Sequence, residues 1–451
     1  MKIVVIGAGK IGHTIVEHSV QEGHTVVVID NNINLIEQVI DQYDVMGLVG
    51  NGASYDVQKN AGVDKNSIVI AATSSDETNI LSCLVAKKLG SKSTIARVRS
   101  YEYMNQLKLL QNDLGITMTL NPEFETSKEI MKIIDFPEAI RVDSFAKGHV
   151  DLVEFYVNEK CPIVDQSLIS IYHQYQVKVL VCAVQRDEEV IIPTGSFIFQ
   201  PKDKIYITAT RSNLRKFISK IGSVEEKIKN VMIIGGGKIS LYLGNELLKN
   251  KYNVKIIERD HKRCKELSQL LPKASIICGD GSDQNILDEE GLTSRDAVVC
   301  LTGKDEENII VSMYAYKKNI HKIITKINRT SLVGIMESIS MASIISPKEI
   351  VASKLVSYIR AKNNSRGSNV LTLYKLVNNK VEALEFQAKE NKKLLNIPLK
   401  DLKLKRNILI AGIIRDGKVI IPNGDDIIEL NDHVIVVTTN QFLDDLNEIL
   451  E

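Results

Sequence analysis

The feature that most constrains this chain is that it repeats itself. Met1-Lys-Ile-Val-Val-Ile-Gly-Ala-Gly-Lys-Ile-Gly12 returns as Asn230-Val-Met-Ile-Ile-Gly-Gly-Gly-Lys-Ile-Ser240. Gly235 lies 228 residues after Gly7, and Glu258 lies 228 after Asp30. Asp305-Glu306-Glu307-Asn308 follows Asp76-Glu77-Thr78-Asn79 by 229 residues, as Ile420-Ile421-Pro422 follows Ile191-Ile192-Pro193. One spacing held to within a residue from Gly7 to Pro193 excludes chance likeness of two α/β domains. Each half is therefore a larger domain followed by a smaller one.

In the first copy, residues 2–6 and 25–29 are short β-branched runs, expected as buried parallel strands. Ile11, Ile15, Val16 and Val20 recur between them at helical spacing. Further strands are expected near 45–49, 68–72, 94–98 and 117–120, and helices near 76–89, 101–114 and 123–134. Six strands joined by helices give a doubly wound Rossmann sheet, and right-handed crossovers put the glycine turn at its carboxyl edge. Residues 140–220 read differently. Val177–Gln185, a turn at Arg186-Asp187-Glu188 and Val190–Ile192 predict a hairpin, followed by a strand over Lys204–Thr210. The second copy repeats this as Asn407–Ile414, Asp416-Gly417, Lys418–Ile421 and His433–Thr439. Polar segments near Ser223–Lys229 and Ala361–Ser368 are the expected linkers. The fold class is α/β: two doubly wound parallel sheets over 1–135 and 229–362, each followed by a small α/β domain, over 140–222 and 368–451.

The bulk of the chain is ordinary for a globular protein, with 44% hydrophobic and 25% charged residues. Lys and Arg total 57 against 56 Asp and Glu, so nothing steers it toward nucleic acid. Met1-Lys2 runs straight into Ile3–Ile6, so no signal peptide is expected, and no apolar run approaches the roughly 20 residues of a membrane span. The six cysteines include no Cys-x-x-Cys and are expected as reduced thiols, mostly buried in strands. No metal site is indicated.

Gly7, Ala8, Gly9, Lys10, Ile11 and Gly12 make G-x-G-x-x-G between a strand and a helix. Gly7 permits the tight turn, Gly9 lets phosphate approach the backbone, and Gly12 lets the helix pack on the strand. The helix amino end offers free N–H groups and partial positive charge. Asp30 ends the next strand, where a carboxylate takes ribose hydroxyls and repels a 2′-phosphate; NADP is thereby disfavoured. The second copy offers Gly235, Gly236, Gly237, Lys238 and Ile239, with Ser240 for the third glycine and Glu258 for the acid. Arg97 and Arg99 suit phosphate through bidentate bonding; Lys326 and Asn328 replace them in the second copy. Thr73-Ser74 and Thr302-Gly303 end the fourth strands, either bordering the nucleotide or leading into a helix cap at Ser75 or Asp76 supported by Glu77. Gly50-Asn51-Gly52 and Gly279-Asp280-Gly281 are expected to form the turn on the adenine side. Lys10 and Lys238, inside the glycine turns, either neutralise phosphate or are simply solvated.

These residues resemble the family that regulates potassium conductance: RCK units of TrkA-N followed by TrkA-C domains, here in duplicate as in the peripheral subunits of Trk-type potassium uptake systems. The likeness rests on Gly7 to Gly12 with Asp30, Gly50-Asn51-Gly52, Ala72-Thr73 with Asp76-Glu77 and Asn79, Ala96-Arg97-Val98-Arg99, and the hairpin ending Ile192-Pro193, each with its partner in the second copy. The resemblance implies NAD(H) and the adenine nucleotides ATP and ADP as ligands. It implies an integral membrane potassium transporter as partner, on whose cytoplasmic face the chain sits. It also implies a homo-oligomer, since eight units close a ring and four of these chains supply eight. Ser240, Lys326 and Asn328 leave the ligand of the second site open. The alternative is an NAD-dependent oxidoreductase, which needs a substrate domain bringing an acid or base to the nicotinamide. The small domains offer only His173, which has no counterpart in the second copy and reads as a helix-surface residue. A regulatory, non-enzymatic chain that gates the transporter is the expectation; an interaction protein with dead sites is a third reading.

Overall fold

The computed structural model of the protein describes residues 1–100, 103, 106, 109–145, 150–187, 189–221, 228–333, 342–364, 370–376, 380–389, 393–439, 443 and 445–451. Contacts divide the chain into two compact units, Met1–Thr126 with Ser346–Val356, and Ser127–Ile345 with Ser357–Glu451.

The first unit runs β1 (Lys2–Ile6), α1 (Lys10–Gln21), β2 (Thr25–Asp30), α2 (Ile33–Gln42), β3 (Met46–Val49), α3 (Tyr55–Asn60), β4 (Ser67–Ala71), α4 (Asp76–Lys88), β5 (Ser93–Arg97) and β6 (Met118–Leu120). All six strands are parallel, in the order β3-β2-β1-β4-β5-β6. Strand order reverses between β1 and β4, so the carboxyl ends of these two strands frame the crevice where such sheets hold ligands. Ile3–Ile6, Val26–Ile29 and Ile68–Ile70 are buried, as strands covered on both faces must be. The expected strands are all present, displaced by a residue at most. The sequence reading missed α2 and α3, short helices opened at Asn32, whose side chain accepts from Asn34 N–H, and at Ser54. The helix expected over 101–114 falls largely outside the described residues; Leu109–Asp113 form a wide π-helical turn.

The chain then enters α5 (Pro122–Asp135) and the first small domain: β7 (Ala139–Phe145), β8 (Val150–Tyr156), α6 (Leu168–Tyr175), β9 (Leu180–Arg186), β10 (Glu189–Ile191), β11 (Lys204–Ala209) and α7 (Arg211–Ile221). Its sheet is antiparallel, in the order β10-β9-β11-β8-β7. The expected hairpin and third strand are β9, β10 and β11, while Glu188 of the expected turn lies outside the described residues. His173 is exposed on α6.

The second Rossmann sheet comprises β12 (Asn230–Ile234), α8 (Lys238–Lys249), β13 (Asn253–Glu258), α9 (His261–Leu270), β14 (Ser275–Cys278), α10 (Gln284–Glu289), β15 (Ala297–Cys300), α11 (Asp305–Lys317), β16 (Lys322–Lys326), β17 (Ala342–Ile345) and α12 (Pro347–Asn364). Its order, β14-β13-β12-β15-β16-β17, is that of the first. The last strands are β18 (Val370–Leu376), β19 (Val381–Gln387), β20 (Ile408–Arg415), β21 (Lys418–Ile420) and β22 (His433–Thr438), ordered β18-β19-β22-β20-β21. The two small sheets share one core: Val150, Leu152 and Tyr206 of the first pack with Val381, Ala383 and Val437 of the second. The expected linkers fall mostly on residues 222–227 and 365–369, outside those described, but Ala361–Asn364 is the last turn of α12.

The second copy lends a piece to the first unit. Ser346–Val356, with the start of α12, belongs to that unit, and Val351, Ala352 and Leu355 are buried. There His18 Nε2 lies 3.1 Å from Glu349 Oε2, and Lys354 Nζ 2.7 Å from Glu125 Oε1. The hydrogen bond from His18 holds the Glu349 carboxyl below its ordinary range.

The cysteines are free and all but Cys278 are buried, as expected, but only half of them lie in strands. Cys83 and Cys264 sit on helices, and Cys161 in a turn; Cys182, Cys278 and Cys300 lie in strands, and Cys278 is exposed. Among the described residues no helix is long and apolar enough to cross a membrane.

Candidate nucleotide sites

Gly7 follows β1 at φ +102, and a Cβ there would stand 2.8 Å from Thr73 N, just past β4. Only glycine enters that conformation without strain this close to another backbone. A Cβ on Gly12 would meet Gly7 O at 1.8 Å, so helix and strand touch through backbone alone. Gly9 has nothing within 4 Å of its Cβ position, which leaves its amide face open. Asp30 closes the crevice. Its Oδ2 accepts the Ala8 N–H at 2.7 Å and its Oδ1 the Asn32 N–H at 2.9 Å, leaving lone pairs on both oxygens. A carboxylate fixed against a glycine turn can take ribose hydroxyls while the α1 amino end takes phosphate.

Thr73, Ser74 and Arg97 gather at the other lip. Asn79, fully buried, accepts from Thr73 N at 2.8 Å and Thr73 Oγ1 at 2.7 Å, and donates to Arg97 O at 2.9 Å. It ties the ends of β4 and β5, a role the motif contained but the sequence reading did not assign. Arg97 Nη1 donates to Thr73 O at 2.9 Å, and its Nε is buried without a partner. Burial first, and then nearby Arg99, work against the guanidinium charge, so a phosphate oxygen would relieve both. Arg99, grouped with Arg97 from sequence, is turned away: its Nε donates to Glu123 Oε1 at 2.8 Å. Ser75 caps α4 by accepting Thr78 N–H, whereas Asp76 instead holds the backbone of Arg99 and Ser100. Ser74 is exposed. Asn51 Oδ1 accepts from Ala53 N in the turn after β3, and buried Gln58 donates to Gly52 O at 2.6 Å. Lys10 is the exposed first residue of α1 rather than part of the turn; Ile11 beside it is partly buried.

The second copy repeats the geometry. Gly235 has φ +96, and Gly236 N donates to Glu258 Oε2 at 2.6 Å while Glu258 Oε1 accepts from Asp260 N at 2.8 Å. Ser240 is fully buried, and its hydroxyl donates to Gly235 O, so the third position carries a side chain by bonding the carbonyl that a bare Cβ would crowd. A cleft of about 300 Å³ is lined by Gly235, Gly236, Gly237, Glu258, Asp280, Thr302 and Lys326, all marked in the sequence. Lys238 and Ile239 are not among its lining residues; Lys238 opens α8 and Ile239 is buried. Asp280 is held by Ser282, whose N–H and hydroxyl bonds keep its carboxyl below the usual range, with Arg259 and Lys304 adding. Thr302 N donates to Asn308 Oδ1 at 2.8 Å, as Thr73 does to Asn79. The reading missed Arg259 and Lys304 in the lining. The signal was present in the sequence, since a cation, Arg259, directly follows the strand-end acid Glu258.

A duplicated Rossmann domain with an acid-closed glycine turn, each copy followed by a small antiparallel sheet, defines a class of tandem Rossmann proteins. The TrkA-N domain matches residues 3–122 and 231–347, and the TrkA-C domain matches 152–222 and 383–451. The Trk system potassium uptake protein TrkA of Vibrio alginolyticus is 30% identical over 98% of this chain and 96% of its own length. The TrkA homolog of Archaeoglobus fulgidus is 28% identical over 100% of both chains. By its duplicated domains and full-length likeness, the chain belongs to the TrkA family of Trk potassium uptake proteins. In fold it resembles the GsuK channel bound to NAD, with a TM-score of 0.64 at 16% identity, covering 98% of this chain and 77% of that one. GsuK bound to ADP gives 0.51 at 15% identity, over 80% and 69%.

Proposed function

We propose that the chain is a nucleotide-responsive regulatory subunit of a membrane potassium transporter, docked on its cytoplasmic face. The observation that carries this is the same bond in both copies: a strand-end carboxylate accepting a glycine-turn N–H, Ala8 to Asp30 and Gly236 to Glu258. Such a carboxylate is fixed before ligand arrives, so binding costs little reorganisation. The fold likeness to GsuK bound to NAD and to GsuK bound to ADP supports these two nucleotides as ligands; ATP joins them in this reading because it shares their adenosine and phosphates. In this reading Gly7, Gly9, Gly12, Asp30, Thr73 and Arg97 hold the ligand in the first site, and Gly235, Gly237, Glu258, Asp280 and Thr302 hold it in the second. The domains are best drawn at 1–135, 140–222, 229–362 and 368–451.

Gating follows from linkage. A nucleotide shifts a conformational equilibrium only through its difference in affinity between two states. In a ring of four chains, nucleotides with different phosphate charge would favour different arrangements, and the ring would pass the difference to the pore. The test is co-reconstitution of chain and transporter in liposomes. Potassium flux should change with ATP, ADP or NADH, and Asp30→Ala should blunt the response while docking persists. Flux indifferent to chain and nucleotide alike would refute the reading; NADH oxidation with a carbonyl substrate, abolished by substitution of Gly9, would favour an oxidoreductase.

A further inference from the structure

The second copy carries a group of residues without counterpart in the first. Cys278 ends β14 as the register partner of Glu258, and is exposed. His261 opens α9, with its Nδ1 3.6 Å from Cys278 Sγ. Cys264, one turn further along α9, is buried, with its Sγ 3.2 Å from Glu258 O; Cys278 Sγ is 4.0 Å from Arg259 O. The two thiols therefore flank one short stretch of backbone, and they interact with each other. Burial first, and then the contact with Cys278, push the Cys264 thiol up to about 11. At the equivalent positions the first copy has Ile33, Ile36 and Val49, which have no redox or acid–base chemistry.

We propose that Cys278 and Cys264 are a reversible dithiol–disulfide pair that tunes the second nucleotide cleft, the oxidant being a hydroperoxide. The nucleophile is a thiolate, and the accessible thiol beside an imidazole is the one placed to supply it. Cys278 gives its proton to His261 and attacks the peroxide: an S–O bond forms, the O–O bond breaks, and the leaving oxygen takes a proton to become alcohol or water. Cys264 then attacks the sulfenic sulfur. The S–S bond forms, the S–O bond breaks, and the hydroxide leaves as water with the Cys264 proton. Two thiols lose two electrons and one hydroperoxide gains them. Thiol–disulfide exchange with a small dithiol reverses the step.

The bond would reach the cleft through backbone. To turn toward Cys278, the Cys264 sulfur must leave Glu258 O. Its neighbour Arg263 holds the glycine turn, with Nε donating to Gly236 O at 2.7 Å. Glu258 itself holds the turn from the other side through Gly236 N. Pulling α9 toward β14 thus moves both clamps on the ribose and phosphate end. This consequence rests on the cleft being a nucleotide site; the disulfide does not.

The test uses the full chain with Asp30→Ala to weaken the first site, so that the second is read as the tighter one. After treatment with hydrogen peroxide, peptide mass mapping should find residues 264 and 278 joined, with loss of two hydrogens, and dithiothreitol should restore both thiols. His261→Asn should slow the joining, and Cys264→Ser or Cys278→Ser should prevent it. Titration with ADP and NADH should show at least about a fivefold change in affinity between oxidised and reduced chain, absent in both serine variants. Oxidation of Cys278 to sulfinic acid without a crosslink overturns the pair. A crosslink with unchanged affinity overturns the tuning. If neither form binds either nucleotide, the nucleotide reading of the cleft fails, while the mass map still decides the disulfide.

Discussion

The two candidate nucleotide clefts keep one frame and fill it differently. In both, the carboxylate at the end of the second strand accepts a glycine-turn N–H, and an asparagine ties the ends of the fourth and fifth strands. The cations differ. The first cleft relies on Arg97, rooted beneath its lip on Thr73 O. The second is lined by Arg259, Lys304 and Lys326, where the first copy has Asn31, Ser75 and Arg97. Even the floor differs: Gln58 holds Gly52 O, but Leu287 stands in its place. Backbone geometry is costly to alter, because Gly7 and Gly235 have no room to change. Rim charges alter freely. A duplicated site therefore preserves its backbone frame and strand-end acid while the charges at its rim drift.

The largest contrast lies away from the clefts. Lys322 opens β16, fully buried, donating to Ala139 O at 2.5 Å; the first copy has Ser93 there. Burial pulls its ammonium down to about 7 from 10.5, with Glu138 opposing. Its folded value is depressed, so its contribution to stability is present above the unfolded value and lost as pH falls through about 7. Lys322→Met should be the more stable protein at pH 6, by an amount on the order of 3–5 kcal/mol, with the gain shrinking as pH climbs toward 10. Urea unfolding at several pH values measures this, with Ser93→Met as the pH-insensitive control. A gain that does not change with pH would show that Lys322 stays charged in the fold.

Asp30→Ala should weaken NADH binding at the first cleft by about 1.5–3 kcal/mol, the worth of a charged hydrogen-bond partner, and leave the second cleft unaffected. Glu258→Ala should do the converse. Calorimetric titration of each variant resolves the two, and a single substitution that empties both clefts would break the comparison of independent sites. Gly12→Val should cost the first unit about 1–3 kcal/mol through overpacking against Gly7 O. Gly12→Ser should cost less, since Ser240 shows how a hydroxyl satisfies that carbonyl. Thermal unfolding reads both, and equal losses would mean that the two helix–strand contacts differ more than their backbones suggest. The smallest effect is Lys304→Ala, about 0.5 kcal/mol on ATP affinity at low salt, vanishing at high salt because the side chain is exposed and already paired with Glu307.

The parallel strands were legible because β-branched runs buried on both faces leave little freedom of placement. The glycine turns and their acids were legible because backbone sterics dictate them. What sequence concealed was polarity satisfied out of sight. Asp151, in β8, is fully buried and bonded to Arg211 Nε at 2.8 Å, so a strand that reads as half-polar is core. β7 breaks register between Ala139 and Arg141, which spoils the alternation that marks a strand. Arg99 illustrates the same limit at the site: its type suits phosphate, but Glu123, distant in sequence, claims it.

The loan of Ser346–Val356 to the first unit changes how such a gene can be inherited. Duplication ordinarily leaves two parts of which either can decay. Here the first unit includes the start of a helix encoded beyond the second sheet, and a truncation after the first copy would leave His18 without Glu349 and Glu125 without Lys354. Neither half can be deleted, shuffled or transferred by itself without exposing what the other covers. The two clefts are thus free to diverge in their rim charges, while the copies that carry them stay bound to a single lineage.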